Sequence, residues 1–173
     1  MPKKPSDKPA DAAEACAIPD PVTFERLRLA DGSAVTLDSS VTVRCTLALE
    51  LASWIRDDLS AIATRHGAGL AQVTGVGGHA CRMRNGQSDA PVSEHASGNA
   101  FDLRAIKLSD GRVIELTRAD AATKTLREEV RKTACARFLT ALGPGSDSSH
   151  ADHLHVDMRQ RPRGFRLCQW EVE

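Results

Sequence analysis

Four of the chain's six histidines fall in two short segments. The first, SEHASGNAFD (residues 93–102), carries His95 and Asp102 with Gly98 between them. The second, HADHLHVD (residues 150–157), carries His150, His153 and His155 beside Asp152 and Asp157. Two imidazoles and a carboxylate suit Zn²⁺, and a set of three protein ligands leaves a fourth position open, as catalytic zinc sites require. His95, Asp102 and His155 are the candidate ligands, for one Zn²⁺ per chain. A hydrolytic site also needs a base near the metal, and His153 and Asp152 both adjoin His155. An HxH pair alone is weak evidence, because paired histidines are common on strand surfaces. The joint occurrence of the two clusters, each on an expected strand or its entry loop, is what singles them out.

The flanking patterns say how the clusters meet. In a strand, side chains two apart share a face, so His153, His155 and Asp157 project together. In NAFDLRAI, Phe101 and Leu103 take the core face and Asp102 the other, while Gly98 lets the loop fold His95 back beside Asp102. Two neighbouring strands then bring His95, Asp102 and His155 to one point. Upstream, PVTFERLRLADGSAVTL alternates around Asp31-Gly32 as a hairpin. Thr46 to His66 has helical spacing through Leu47, Leu51, Trp54, Ile55, Leu59 and Ile62, with Gly67 as a stop. LAQVTGVGG reads as a strand entering a glycine-rich loop, and Cys81 to Ser97 as a polar surface loop. Asp110-Gly111 turns the chain into RVIEL as a second hairpin. Ala119 to Leu142 reads as a helix by its apolar positions (Leu126, Val130, Ala134, Phe138, Leu142), ending at Gly143, and HLHVDMR as a final strand. The expected class is α+β: helices packed on one small antiparallel sheet.

Composition removes several classes of function. The 23 basic and 23 acidic residues balance, which argues against a nucleic-acid groove or an anionic membrane surface. No apolar run approaches the roughly 20 residues that cross a bilayer. With four Phe, two Trp and no Tyr, a binding face of stacked aromatics is not expected. LGPGSDSS lacks the GK[ST] ending of a phosphate loop. Residues 1–15 are too polar to bury and read as a flexible linker with no apolar core of a signal peptide, leaving residues 16–173 as one domain. A monomer is expected.

The five cysteines include no CxxC pair. Wide spacing fits structural disulfides in an oxidising compartment, periplasmic or secreted, with buried thiols as the alternative. The expected pairs are Cys16 with Cys45 and Cys135 with Cys168, leaving Cys81 free. Ser93 and Glu94 are expected to shape the loop, since a nucleophilic serine would need its own base. His150 is expected to support the site, by bonding substrate or capping its loop. Asp157 is a candidate orienter of an imidazole, with a strand-end salt bridge as the alternative. His66 and His79 are expected to lie outside the site.

The pattern SxHxxGxxxD followed by HxH resembles the LAS group of zinc peptidases, named for lysostaphin, D-Ala-D-Ala carboxypeptidase and sonic hedgehog. CRMRNG, SEHASGNAFDL, DGR, ACARFLTALGPGSDSSHADHLHVDMR and the terminal cysteine together are similar to the bacterial extensin-like C-terminal domain family, from about Cys16 to Cys168. The resemblance implies a hedgehog/DD-peptidase-like fold with zinc on His95, Asp102 and His155. It also implies a peptidase acting on peptidoglycan stems or cross-links, of D,D-carboxypeptidase or endopeptidase type. Relatives place the base two or three residues before the last ligand, which is His153 or Asp152 here. Strand geometry favours His153. Relatives also place an arginine before the motif to meet a substrate carboxylate or an oxyanion, which Arg82 fits. The chain departs from the family where His79 replaces an aromatic residue and where a tryptophan is missing after Asp110-Gly111. Two other readings remain: a zinc-containing envelope binding module without turnover, and a disulfide-stabilised structural domain without metal.

Overall fold

The computed structural model describes residues 14–84 and 91–173. The linker expected over residues 1–15 falls almost wholly on residues 1–13, outside the described residues, as do residues 85–90 of the loop that follows Cys81.

Two mixed sheets replace the single antiparallel sheet expected from the alternation. The first hairpin, β1 (Pro21–Arg28) and β2 (Ala34–Arg44), turns at Gly32, whose φ of 85° suits glycine. The five-stranded sheet continues through β3 (Leu70–Thr74), β5 (Ala105–Leu108) and β6 (Val113–Glu115), in the order β1-β2-β3-β5-β6. The β2–β3 pair is parallel because a helical crossover returns the chain in the same direction. The four-stranded sheet contains β4 (Ala100–Leu103), β7 (Thr140–Leu142), β8 (Leu154–Asp157) and β9 (Leu167–Gln169), in the order β4-β8-β7-β9. Here β9 runs parallel to β7, having come back past β8 through a turn at Pro162–Gly164. The class is α+β.

NAFDLRAI is two strands rather than one. The chain leaves the four-stranded sheet at Leu103 and joins the five-stranded sheet at Ala105, with exposed Arg104 at the switch. Its N–H donates to Thr74 O and its carbonyl accepts from Leu116, so the break leaves neither group unpaired.

The crossover is α1 (Cys45–Ser53), a π-helical stretch Trp54–Leu59, and α2 (Ser60–Arg65) in unbroken succession. All six apolar positions that marked it in the sequence are fully buried. Trp54 meets the Phe138 ring edge-on at 5.2 Å and donates its indole N–H to Thr133 Oγ1 at 2.9 Å. The helix expected over Ala119 to Leu142 is shorter at both ends. A 3₁₀ turn at Ala121–Thr123, capped by Asp120, leads into α3 (Lys124–Arg137). Phe138 is already extended, and Leu139 N–H donates to Asp157 O, so the four-stranded sheet recruits Thr140–Leu142. Helical spacing of Leu142 was a coincidence that strand pairing overrides. One apolar core, including Leu51, Trp54, Phe101, Ile106, Val130 and Val156, lies between the helices and the sheets.

One expected disulfide forms, Cys135–Cys168. The other is corrected: Cys16 bonds Cys81, and the half-buried Cys45 is the free thiol. The glycine-rich segment decides this. His79 N–H donates to Thr42 O and Ala80 N–H to His95 O, which lays the chain along the end of β2 and delivers Cys81 to Cys16.

Candidate metal centre

Antiparallel register between β4 and β8 sets Asp102 directly opposite His155. Phe101 and Leu103 point into the core, so Asp102 takes the open face, as their alternation requires. On the other side of β4, Gly77 exchanges both backbone hydrogen bonds with Asp102. The glycines of this segment permit that approach: a Cβ on Gly78 would sit 2.8 Å from Thr42 O.

His95 arrives from a 3₁₀ turn, Glu94–Ser97. The Ser93 hydroxyl caps the turn by accepting from His95 N–H at 3.2 Å. Gly98 ends it with φ 66°, and a Cβ there would lie 2.8 Å from the Ile18 side chain. The Arg44 guanidinium donates to Ser97 O, while Arg44 N–H donates to Gly98 O. Asn99 donates its amide to Glu94 Oε2 at 2.8 Å. The loop that presents His95 is therefore tied down at both ends.

Ligand-type atoms of His95, Asp102 and His155 all lie within 4.8 Å of one another. His95 Nε2 is 3.1 Å from one Asp102 oxygen, and His155 Nδ1 is 3.1 Å from the other. The two approaches are made to different carboxylate oxygens, and the three side chains together form a group of the size that could hold a metal ion. The rest of each ring is fixed. His95 Nδ1–H donates to Gly78 O at 2.8 Å, which directs the Nε2 lone pair inward. That Nε2 is buried, facing Asp102 with no other partner among the described residues. His155 Nε2–H donates to Asp157 Oδ2 at 2.8 Å, which fixes the ring with Nδ1 facing Asp102.

The electrostatics follow from this packing. Burial pushes the Asp102 carboxyl up, but the hydrogen bond from His155 and the close approach of His95 outweigh it and hold the group well below the usual carboxylate range. Burial pulls His155 down, yet its bonds to Asp102 and Asp157 win and push it up to about 9. Asp157 is held low because the His155 contact overcomes its burial. Two buried carboxylates thus share one imidazolium and keep a net negative charge, which favours a cation beside them.

His153 immediately precedes β8, with Nε2 3.7 Å from Asp102 Oδ2. Asp152 does not point into the cluster. It is exposed, accepts from His153 Nδ1–H at 2.9 Å and pairs with Arg104 at 3.2 Å. Arg82 Nη2 lies 3.9 Å from Asp102 Oδ2, in a strand-like segment where Ser93 N–H donates to Arg82 O. His150 accompanies the site from behind: its ring is 5.3 Å from those of His153 and His155, and its Nδ1 bonds Asp147 at 2.7 Å. His66 and His79 lie elsewhere, on Glu129 and on the carbonyls of Cys16 and Ala96. Sequence reasoning passed over Gly78, Arg44 and Asp147. The glycine run hinted at Gly78, but a carbonyl that orients a ring leaves no trace in residue type.

These residues open on a cleft of about 390 Å³, lined also by Arg82, Glu94, Asp147, Ser149 and His150. Thr140, Leu142, Leu167 and Gln169 also line it.

No curated protein and no solved structure matches the chain. The family described as Extensin-like protein C-terminus matches residues 3–169, nearly the whole length, and the chain belongs to that family.

Proposed function

We propose that this chain is a zinc-dependent peptidase that hydrolyses amide bonds in peptidoglycan stems or cross-links, acting as a monomer in the periplasm or outside the cell. One observation carries the reading: His95, Asp102 and His155 converge with their ligand atoms facing one another in an open cleft, beside a histidine that is not needed as a ligand. The resemblance to the LAS peptidases adds support, with the four-stranded sheet read as their zinc-bearing sheet. Two disulfides fit an oxidising compartment. Zinc at these three residues would polarise a scissile carbonyl and lower the pKa of water to roughly 7.

The chain's own groups supply the rest. Asp152 accepts from His153 Nδ1–H, which leaves the Nε2 lone pair facing the cluster, where it can take a proton from the attacking water. The hydrogen bond from His153 holds Asp152 below the usual carboxylate range, so Asp152 stays anionic and keeps that tautomer. The same Nε2 then returns the proton to the departing amine. Arg82, half-exposed at the cleft, meets the developing oxyanion or a substrate carboxylate. Asp157 fixes His155 from below. His153 is therefore the proposed base and Asp152 its orienter.

The test is incubation of the zinc-supplied protein with stem pentapeptides and cross-linked dimers, followed by chromatography. Hydrolysis is expected, and His153→Ala is expected to lower kcat by about 10²–10⁴ while retaining zinc. Bound zinc with no cleavage of any muropeptide would favour the binding-module reading instead.

A further inference from the structure

The cleft is larger than a metal and its water require. It holds about 390 Å³, whereas a water takes about 30 Å³ in the liquid. Its floor is the open face of the four-stranded sheet. Strand register aligns Asp102, His155, Leu142 and Gln169 in one row across β4, β8, β7 and β9. Asp157, Thr140 and Leu167 form the next row. The candidate metal cluster uses only the β4–β8 end. At about 4.8 Å per strand, the floor runs on for roughly 10 Å past His155.

The lining also carries a cation without a counter-charge among the described residues. Half-buried Arg161 lines the cleft and spends one N–H, from Nη1 to Leu139 O at 3.3 Å, leaving most of its donors unspent. Among the described residues it forms no ion pair. The neighbouring charges are committed: Arg159 lies 3.9 Å from Glu94, Asp147 holds His150, and Asp157 holds His155. Arg84 also lines the cleft without an ion pair among the described residues, but Arg161 is the one anchored to the sheet, with Pro162 stiffening the chain behind it.

The anchor gives a distance. Leu142 pairs with His155, and Leu139 lies three residues earlier on the same stretch. The Leu139 carbonyl that anchors Arg161 therefore lies about 10 Å along the sheet from the His155–Leu142 row, about three residues of extended peptide. The floor between them offers Leu142, Leu167 and Thr140, which suits small apolar side chains. We infer that Arg161 forms an anion subsite that selects peptides with a free carboxylate about two to three residues from the bond that is cut. This rests on the peptidase reading above and names the substrate class it would take.

The test compares two stem pentapeptides: L-Ala-γ-D-Glu-L-Lys-D-Ala-D-Ala with the glutamate α-carboxylate free, and the same peptide with that carboxylate amidated. Binding to the full-length, zinc-supplied chain is measured by calorimetry in the cold, and product release is followed separately. Wild type is expected to bind the free acid at least about tenfold more tightly. Arg161→Gln is expected to bring that ratio near one, with zinc content and affinity for the amidated peptide unchanged. Arg161→Lys keeps the charge and should keep part of the preference, which a merely structural role would not predict. Equal wild-type affinities, no binding of either peptide at millimolar concentration, or an unchanged ratio in Arg161→Gln would overturn the assignment. Should that variant fail to fold, the wild-type ratio decides alone: it must fall toward one as salt rises, and a salt-independent ratio overturns it. Hydrolysis of both peptides with no ratio sinks the subsite and leaves the peptidase. A ratio with no hydrolysis sinks the peptidase and leaves the subsite.

Discussion

His155 donates from both ring nitrogens, to Asp102 and to Asp157, and so the metal-free site keeps it protonated at neutral pH. A ligating histidine must be neutral, which makes zinc and the proton competitors. Zinc uptake at pH 7 is expected to release a proton, and affinity is expected to rise about tenfold per pH unit up to about pH 9, as zinc competition titrations would read. The sign for folding is opposite. The folded pKa of about 9 exceeds the ordinary 6.5, so this contribution to metal-free stability is complete below about 6.5 and is lost as pH rises through about 9. Asp102 and Asp157 are depressed, so their contribution is present above the ordinary carboxylate value and is lost in acid. Thermal melts of the stripped protein should fall from neutral pH toward pH 9 while those of the zinc-loaded protein hold. Zinc affinity that is flat over this range would contradict the arrangement of His155 between two carboxylates.

The grouping of His95, Asp102 and His155 depends on how short elements end. The turn Glu94–Ser97 can place His95 only if the chain reverses at Gly98, where φ is 66° and a Cβ would press on Ile18 and on Arg44 N. Gly98→Ala is expected to cost about 1–3 kcal/mol of stability and to weaken zinc binding; denaturant unfolding and zinc titration check both, and a variant with wild-type values would show that the turn is not what holds His95. Much of this was legible in the sequence. Alternation at Phe101, Asp102 and Leu103 revealed which face Asp102 takes, HxH marked β8, and the six apolar positions of the long helix are the six that are buried. What misled was local pattern without partners. Thr140–Leu142 continue the helical spacing of α3 but are claimed by β8, and Arg104 breaks an apparently single strand because the five-stranded sheet offers Thr74 O to its N–H. Because Leu142 is a strand residue, the cleft floor extends beyond the histidines, which no periodicity could have announced.

At the scale of the whole molecule, the two disulfides staple opposite ends of the cleft. Cys16–Cys81 secures the segment that presents Arg82, and Cys135–Cys168 ties α3 to β9 beside Gln169. The bonded cysteines are 65 and 33 positions apart in sequence, and chain entropy assigns each bridge about 4 kcal/mol. Replacing either pair by serine is expected to cost about 2–5 kcal/mol in denaturant unfolding; the Cys16/Cys81 pair should also lower kcat through Arg82, whereas the Cys135/Cys168 pair, beside Gln169, should raise KM alone. A lower kcat from both pairs alike would mean that general loosening, not Arg82, is responsible. No helix among the described residues is long and apolar enough to cross a membrane. The claim on which everything else depends is that His95, Asp102 and His155 hold a metal. Elemental analysis of purified wild type beside His95→Ala and His155→Ala tests it most directly. The account predicts about one zinc per chain in wild type and loss from both variants. Wild type that retains no zinc after supply and washing, or variants that retain as much as wild type, would contradict it.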